Sequence, residues 1–121
     1  MAKILFIEDE PGLQKTVSEI LRQEGFEILE ALDGDTGIEI AKKEKPDLVL
    51  LDLILPKKDG FEVLKELKEN PETKDIKIVV LTNLENSSDV EKALGLGATN
   101  YLVKANYELE EVVQKVKDLL K

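Results

Sequence analysis

Short runs of branched aliphatic residues recur along this chain, and stretches whose apolar positions repeat with the period of a helix lie between them. The runs are Ile4-Leu5-Phe6-Ile7, Leu48-Val49-Leu50-Leu51, Ile78-Val79-Val80-Leu81 and Tyr101-Leu102-Val103. Apolar at successive positions, they suit strands buried on both faces of a parallel sheet. Phe26-Glu27-Ile28-Leu29-Glu30-Ala31 is more mixed and reads as a strand nearer an edge. Leu13, Val17, Ile20 and Leu21 share one helical face, as do Phe61, Leu64 and Leu67, and Leu109, Val112, Val113, Val116 and Leu120. A weaker helix is expected over 34–44, with Ile38 and Ala41 as its apolar face. Pro11 suits a first helical position, Ser88 with Glu91 suggests a capping box, and Gly25 and Gly95 stand where helices should stop.

The resulting order is βαβαβαβαβα, with no linker or repeat. It predicts an α/β fold in which residues 1–121 form one domain, a doubly wound five-stranded parallel sheet inside a three-layer α/β/α sandwich. In such sheets ligands bind beyond the carboxyl ends of the strands, where the strand order reverses. That rim is where chemistry is expected.

Composition narrows the chemistry. With no Cys and no His, thiolate nucleophiles, imidazole bases and Cys- or His-ligated metals are excluded. A formal charge of −9 and a pI near 4.6 argue against direct binding to nucleic acid. No apolar stretch approaches the ~20 residues that span a bilayer, and MAKILFIEDE turns acidic before a signal-peptide core develops, so a cytoplasmic protein without membrane contact is expected. Residues 1–40 hold ten acids against three bases, which gathers negative charge near the N-terminus.

The first strand runs into Glu8-Asp9-Glu10, which alone could be a solvated loop. The third changes the weighting: in Leu48-Val49-Leu50-Leu51-Asp52-Leu53-Ile54-Leu55, one carboxylate interrupts an otherwise apolar run. A capping role would suit a polar turn, but the apolar run continues past Asp52, so a functional reading is preferred. A buried carboxylate needs a partner or a solvent-facing strand end. In the doubly wound order 2-1-3-4-5, strands one and three are neighbours, and Asp9 and Asp52 arrive side by side. Two unit charges ~4 Å apart repel by roughly 4 kcal/mol at an effective dielectric near 20. A cation would relieve that repulsion, and all-oxygen ligation by few carboxylates suits Mg²⁺. The fourth and fifth strands add Thr82 and Lys104 to the same rim. Carboxylates, a metal, a hydroxyl and an ammonium are the parts needed to accept a phosphoryl group on a carboxylate.

From ILFIEDEPG through DLVLLDLILPKKDG and IVVLTN to GATNYLVK, the chain resembles the response-regulator receiver domains of bacterial two-component signalling, and is similar to the stand-alone chemotaxis-type receivers. The resemblance implies a flavodoxin-like fold and a signalling domain, not an enzyme beyond its own phosphorylation and dephosphorylation. It implies that Asp52 is the phosphoacceptor, that Asp9 and Asp52 bind Mg²⁺ directly, that Glu8 does so through water, and that Ile54 offers its backbone carbonyl. Thr82 and Lys104 would contact the phosphoryl oxygens, and Tyr101 would be the switch aromatic. The implied partners are a sensor histidine kinase or phosphotransfer protein upstream and a protein effector downstream, reached through the fourth helix, fifth strand and fifth helix. Because the chain stops after its fifth helix, no output domain is expected within it.

Three positions depart from the commonest pattern. Glu8 stands where Asp is more usual, Asn83 follows Thr82 where a small residue is usual, and Ala105 replaces the Pro that follows the lysine. A cis bond before a non-proline residue costs roughly 2.5–4 kcal/mol, so a trans Lys104-Ala105 bond and a rearranged loop are expected. Ile54 and Leu84, flanking the site, offer no polar group to align water, which predicts slow self-dephosphorylation. Two other functions compete with this reading. A receiver-like interaction module independent of phosphorylation would suit Asn83 and Ala105, but the intact Glu8, Asp9, Asp52, Thr82 and Lys104 weigh against it. An aspartyl-phosphate phosphatase of the haloacid-dehalogenase type expects a second Asp two residues after the nucleophile, where Ile54 stands.

Overall fold

A computed structural model describes residues 2–121. Five strands, β1 (Lys3–Ile7), β2 (Glu27–Ala31), β3 (Leu48–Leu51), β4 (Lys77–Thr82) and β5 (Asn100–Val103), form one sheet in the order β2-β1-β3-β4-β5. Every neighbouring pair is parallel, and the register places Ile7 beside Leu51, Leu51 beside Val80, and Thr82 beside Val103. The helices are α1 (Pro11–Gln23), α2 (Gly34–Glu44), α3 (Gly60–Glu69), α4 (Ser87–Gly95) and α5 (Leu109–Leu119), with a short 3-10 turn over Lys104–Asn106. The expected strand order and the three layers are present, and the mixed Glu27–Ala31 segment is an edge strand.

Alternation along each strand divides the core in two. Leu5, Ile7, Val49, Leu51, Ile78 and Val80 point to the face covered by α2, α3 and α4, where they meet Ile38, Ala41, Val63, Leu64, Leu67 and Ala93. Ile4, Phe6, Leu48, Leu50, Val79 and Leu81 point to the opposite face, against Val17 and Leu21 of α1 and Val112, Val113 and Val116 of α5. The helices are not equally anchored: α5 buries three valines, whereas α4 fully buries only Ala93.

One local expectation is corrected. Asn86, not Ser88, caps α4: its Oδ1 accepts the Asp89 N–H at 3.0 Å and the Ser88 hydroxyl at 2.7 Å, so Ser88 is a donor to the cap. Gly95 is the last helical residue, and Gly97, at φ +108°, takes the left-handed turn that leads towards β5. Gly25, at φ +98°, takes the same conformation just after α1, as its position predicts. Among the described residues no helix is long and apolar enough to cross a membrane.

Candidate functional site

Parallel strands all end on one rim, and β1 and β3 are neighbours, so the residues that follow them converge. One oxygen from each of Glu8, Asp9 and Asp52 can be chosen so that all three lie within 4.8 Å of one another. Glu8 and Asp52 are buried, at 1% and 3% exposure, while Asp9 is exposed. The spatial pairing inferred from the strand order is therefore present.

Lys104 binds this cluster from just past the end of β5. Its Nζ donates to Asp52 Oδ2 at 2.9 Å and lies 2.8 Å from Glu8 Oε1. The second contact is an ion pair without hydrogen-bond alignment, which leaves Glu8 Oε1 buried and without a hydrogen bond. The Ile54 N–H donates to Asp52 Oδ1 at 3.1 Å, and the Glu10 N–H donates to Glu8 Oε2 at 3.3 Å. Among the described residues no peptide bond is cis. The Lys104–Ala105 bond is thus trans, and the 3-10 turn after it leaves the ammonium directed into the cluster.

The electrostatics follow from this packing. Burial pushes the Glu8 carboxyl up to about 7; Lys104 opposes the shift and the Asp52 charge adds to it. Burial also works against the Lys104 charge, but its contacts with Glu8 and Asp52 outweigh that and hold its pKa above the ordinary lysine value. Two buried carboxylates share one ammonium and a third, Asp9, lies beside them, which leaves an excess of negative charge, and the donors are all hard oxygens. Together with the Glu8 oxygen that is ion-paired but accepts no hydrogen bond, this is the donor chemistry of a small divalent cation, so the residues fit Mg²⁺.

Thr82 ends β4 fully buried, and its Oγ1 is 3.5 Å from the Leu84 N–H. Tyr101 on β5 is half-buried and turned inward, its hydroxyl donating to the Leu84 carbonyl at 2.8 Å, which ties β5 to the segment between β4 and α4. Ile54 is 51% exposed beside Asp52, and Asn83 is exposed.

Three residues with a positioning role carry weaker sequence signals. Gly60 opens α3 against the turn that holds Asp52: a Cβ there would stand 2.4 Å from the Asp52 carbonyl oxygen and 2.4 Å from Leu53 Cα. Lys58, in the turn before α3, pairs with Asp35 at 3.1 Å and Glu66 at 2.8 Å and so ties the turn to α2 and α3. Gln14 is buried, and its Nε2 lies 2.8 Å from the Ala31 carbonyl, 3.1 Å from that of Phe6 and 3.4 Å from that of Glu8. Its signal is spacing, since Gln14 shares the buried face of α1 with Val17, Ser18 and Leu21.

A doubly wound sheet with paired acids and a lysine at its switch point defines a class of α/β proteins whose chemistry is phosphate and divalent-cation chemistry. The family model of the response regulator receiver domain matches residues 4–117, and the chain belongs to that family of two-component signalling domains. It is 38% identical over 121 residues to RpaA of Synechocystis, a DNA-binding dual master transcriptional regulator, covering 100% of this chain and 50% of that protein. It is 32% identical over 118 residues to sporulation initiation phosphotransferase F of Bacillus subtilis, covering 98% and 93%. The chain thus spans about half the length of the DNA-binding relative and nearly all of the phosphotransferase. Among solved structures, Vibrio cholerae chemotaxis protein CheY4 superposes with a TM-score of 0.90 at 28% identity, covering 98% of each chain. The Mn²⁺-bound form of response regulator Rcp1 superposes with a TM-score of 0.83 at 35% identity, covering 98% of this chain and 91% of that one.

Proposed function

We propose that this receiver domain accepts a phosphoryl group on Asp52 from the phosphohistidine of a sensor kinase or phosphotransfer protein, acts in the cytoplasm as a stand-alone response regulator, and passes the signal to a protein effector. The observation that carries the reading is the convergence of Glu8, Asp9 and Asp52, with Lys104 paired to Glu8 and Asp52, an arrangement that both holds a nucleophilic carboxylate and compensates added negative charge.

In this mechanism an Asp52 carboxylate oxygen attacks phosphorus in line. The new P–O bond forms as the P–N bond to the donor imidazole breaks, and the imidazole leaves with a proton from solvent. Asp9 and Asp52, with the Ile54 carbonyl, would hold Mg²⁺ directly and Glu8 would reach it through water. When bound, the ion supplies electrostatic stabilisation of the transferring oxygens. Lys104, already 2.9 Å from Asp52, exchanges its carboxylate contact for a phosphoryl oxygen, and the Thr82 hydroxyl donates to another. The product adds about −1.5 to −2 charges at one point. Thr82 and Tyr101 report that change to α4, β5 and α5, and a partner that binds the phosphorylated surface better shifts the population toward it.

The test is intact-mass analysis after incubation with acetyl phosphate, with and without Mg²⁺. One phosphoryl group is expected, dependent on Mg²⁺, mapping to Asp52 and absent in Asp52→Asn. Phosphorylation of Asp52→Asn to the same extent, or none in the wild-type chain, would overturn the proposal.

A further inference from the structure

The Gln14 side chain has no part in the chemistry above, yet it is 5% exposed and directed at the backbone that carries the acidic residues. Its amide nitrogen meets the carbonyls of Phe6 and Glu8, either side of the β1 terminus, and of Ala31 at the end of β2. Ala31 also accepts the Glu8 N–H at 3.0 Å, so a single carbonyl joins Gln14 to Glu8. An amide nitrogen has two hydrogens, which serve the two shorter contacts, Ala31 and Phe6, and leave Glu8 at the edge of hydrogen-bonding range. The next turn of the chain holds Glu8 and Asp9, whose carboxylates have no other buried side chain fixing their backbone from the α1 side among the described hydrogen bonds.

We infer that Gln14 is a positioning residue: its buried amide ties the end of β1 to the end of β2, holds the turn that carries Glu8 and Asp9, and thereby sets the affinity of the acidic cluster for a divalent cation. This rests on the site reading given above. Mg²⁺ demands near-ideal octahedral geometry, so a small drift of one ligand is felt directly in affinity. Partners that orient metal ligands typically contribute 10–100-fold to metal binding when removed. Loss of the Gln14 donor leaves the Ala31 carbonyl with the Glu8 N–H alone and removes the side-chain tie between the ends of β1 and β2.

The experiment measures the Mg²⁺ dissociation constant by NMR titration in the wild-type chain, Gln14→Met and Thr73→Val. Gln14→Met keeps the bulk and removes the donor. Thr73→Val removes a buried hydroxyl bonded to the Leu67 carbonyl after α3, at the opposite end of the sheet, and so controls for general loss of stability. The expected result is affinity at least tenfold weaker in Gln14→Met and within twofold of wild type in Thr73→Val. Equal weakening in both variants, or wild-type affinity in Gln14→Met, overturns the inference while leaving the metal site standing. The absence of saturable Mg²⁺ binding in the wild-type chain overturns both. Should Gln14→Met fail to fold, the wild-type side-chain amide resonances of Gln14 decide: they are expected to shift along the same binding isotherm, and resonances that stay fixed through saturation overturn the assignment.

Discussion

Burying Glu8 beside Asp52 sets two carboxylates around one ammonium, and burial pushes Glu8 up to about 7. Glu8→Gln keeps the shape, removes the surplus charge and leaves Lys104 and Asp52 as a matched pair. Without divalent cations this variant is expected to be more stable by about 1–2 kcal/mol, since an unmatched buried charge is expensive. Urea unfolding in a chelator checks it, and an unchanged or lower midpoint would contradict it. Gly60 makes the opposite kind of demand. With a Cβ 2.4 Å from backbone atoms of the Asp52 turn, Gly60→Ala is expected to cost about 3 kcal/mol, measured by the same unfolding, and to slow phosphorylation of Asp52. Asp52 was legible because a lone charge in an apolar run has to be accounted for. Gln14 and Gly60 were not, because a glutamine beside an apolar face and a glycine after Asp59 are ordinary in sequence, and only the approach of a second element gives each its work.

At the scale of elements, the strands could be read directly because burial on both faces leaves them apolar at every position, while the helical caps could not. Asn86, Ser87 and Ser88 are all capable caps, and tertiary geometry selects Asn86. Asp33 is the clear case for a test. Its carboxylate accepts the Thr36 N–H at 2.8 Å and the Thr36 hydroxyl at 3.0 Å, and the first of these bonds holds its pKa below the ordinary 3.8. A pKa lowered by folding contributes stability that is complete above the unfolded-state value and disappears as pH falls through the folded-state one. Asp33→Ala is accordingly expected to cost about 1 kcal/mol at neutral pH. The gap to wild type should narrow below the ordinary carboxylate value. A gap that stays constant with pH in parallel urea titrations would assign the loss to helix propensity instead.

For the whole molecule, the strict alternation of strand and helix made the layers and the reversal point readable, and with them the meeting of residues 8, 9, 52 and 104 from distant parts of the chain. Lys104, just past the end of β5 and followed by Ala105, reaches Asp52 after β3 and Glu8 after β1 across the end of β4. The lifetime of the phosphorylated state belongs to this scale as well. Ile54 is 51% exposed and Leu84 is half-buried, and neither carries a group that can orient a water molecule toward Asp52. Loss of the phosphoryl group after removal of the donor, followed by intact mass, is expected to take minutes or longer, and a decay within seconds would contradict this. The uneven anchoring of the helices has a further consequence. With one fully buried side chain, Ala93, and a Lys92 ammonium over the Phe61 ring, α4 has less apolar contact to break on moving than α5. That segment, Ser87–Gly95, begins just past the loop to which Tyr101 is bonded, so a displacement of that loop at the rim is passed directly to a lightly anchored helix.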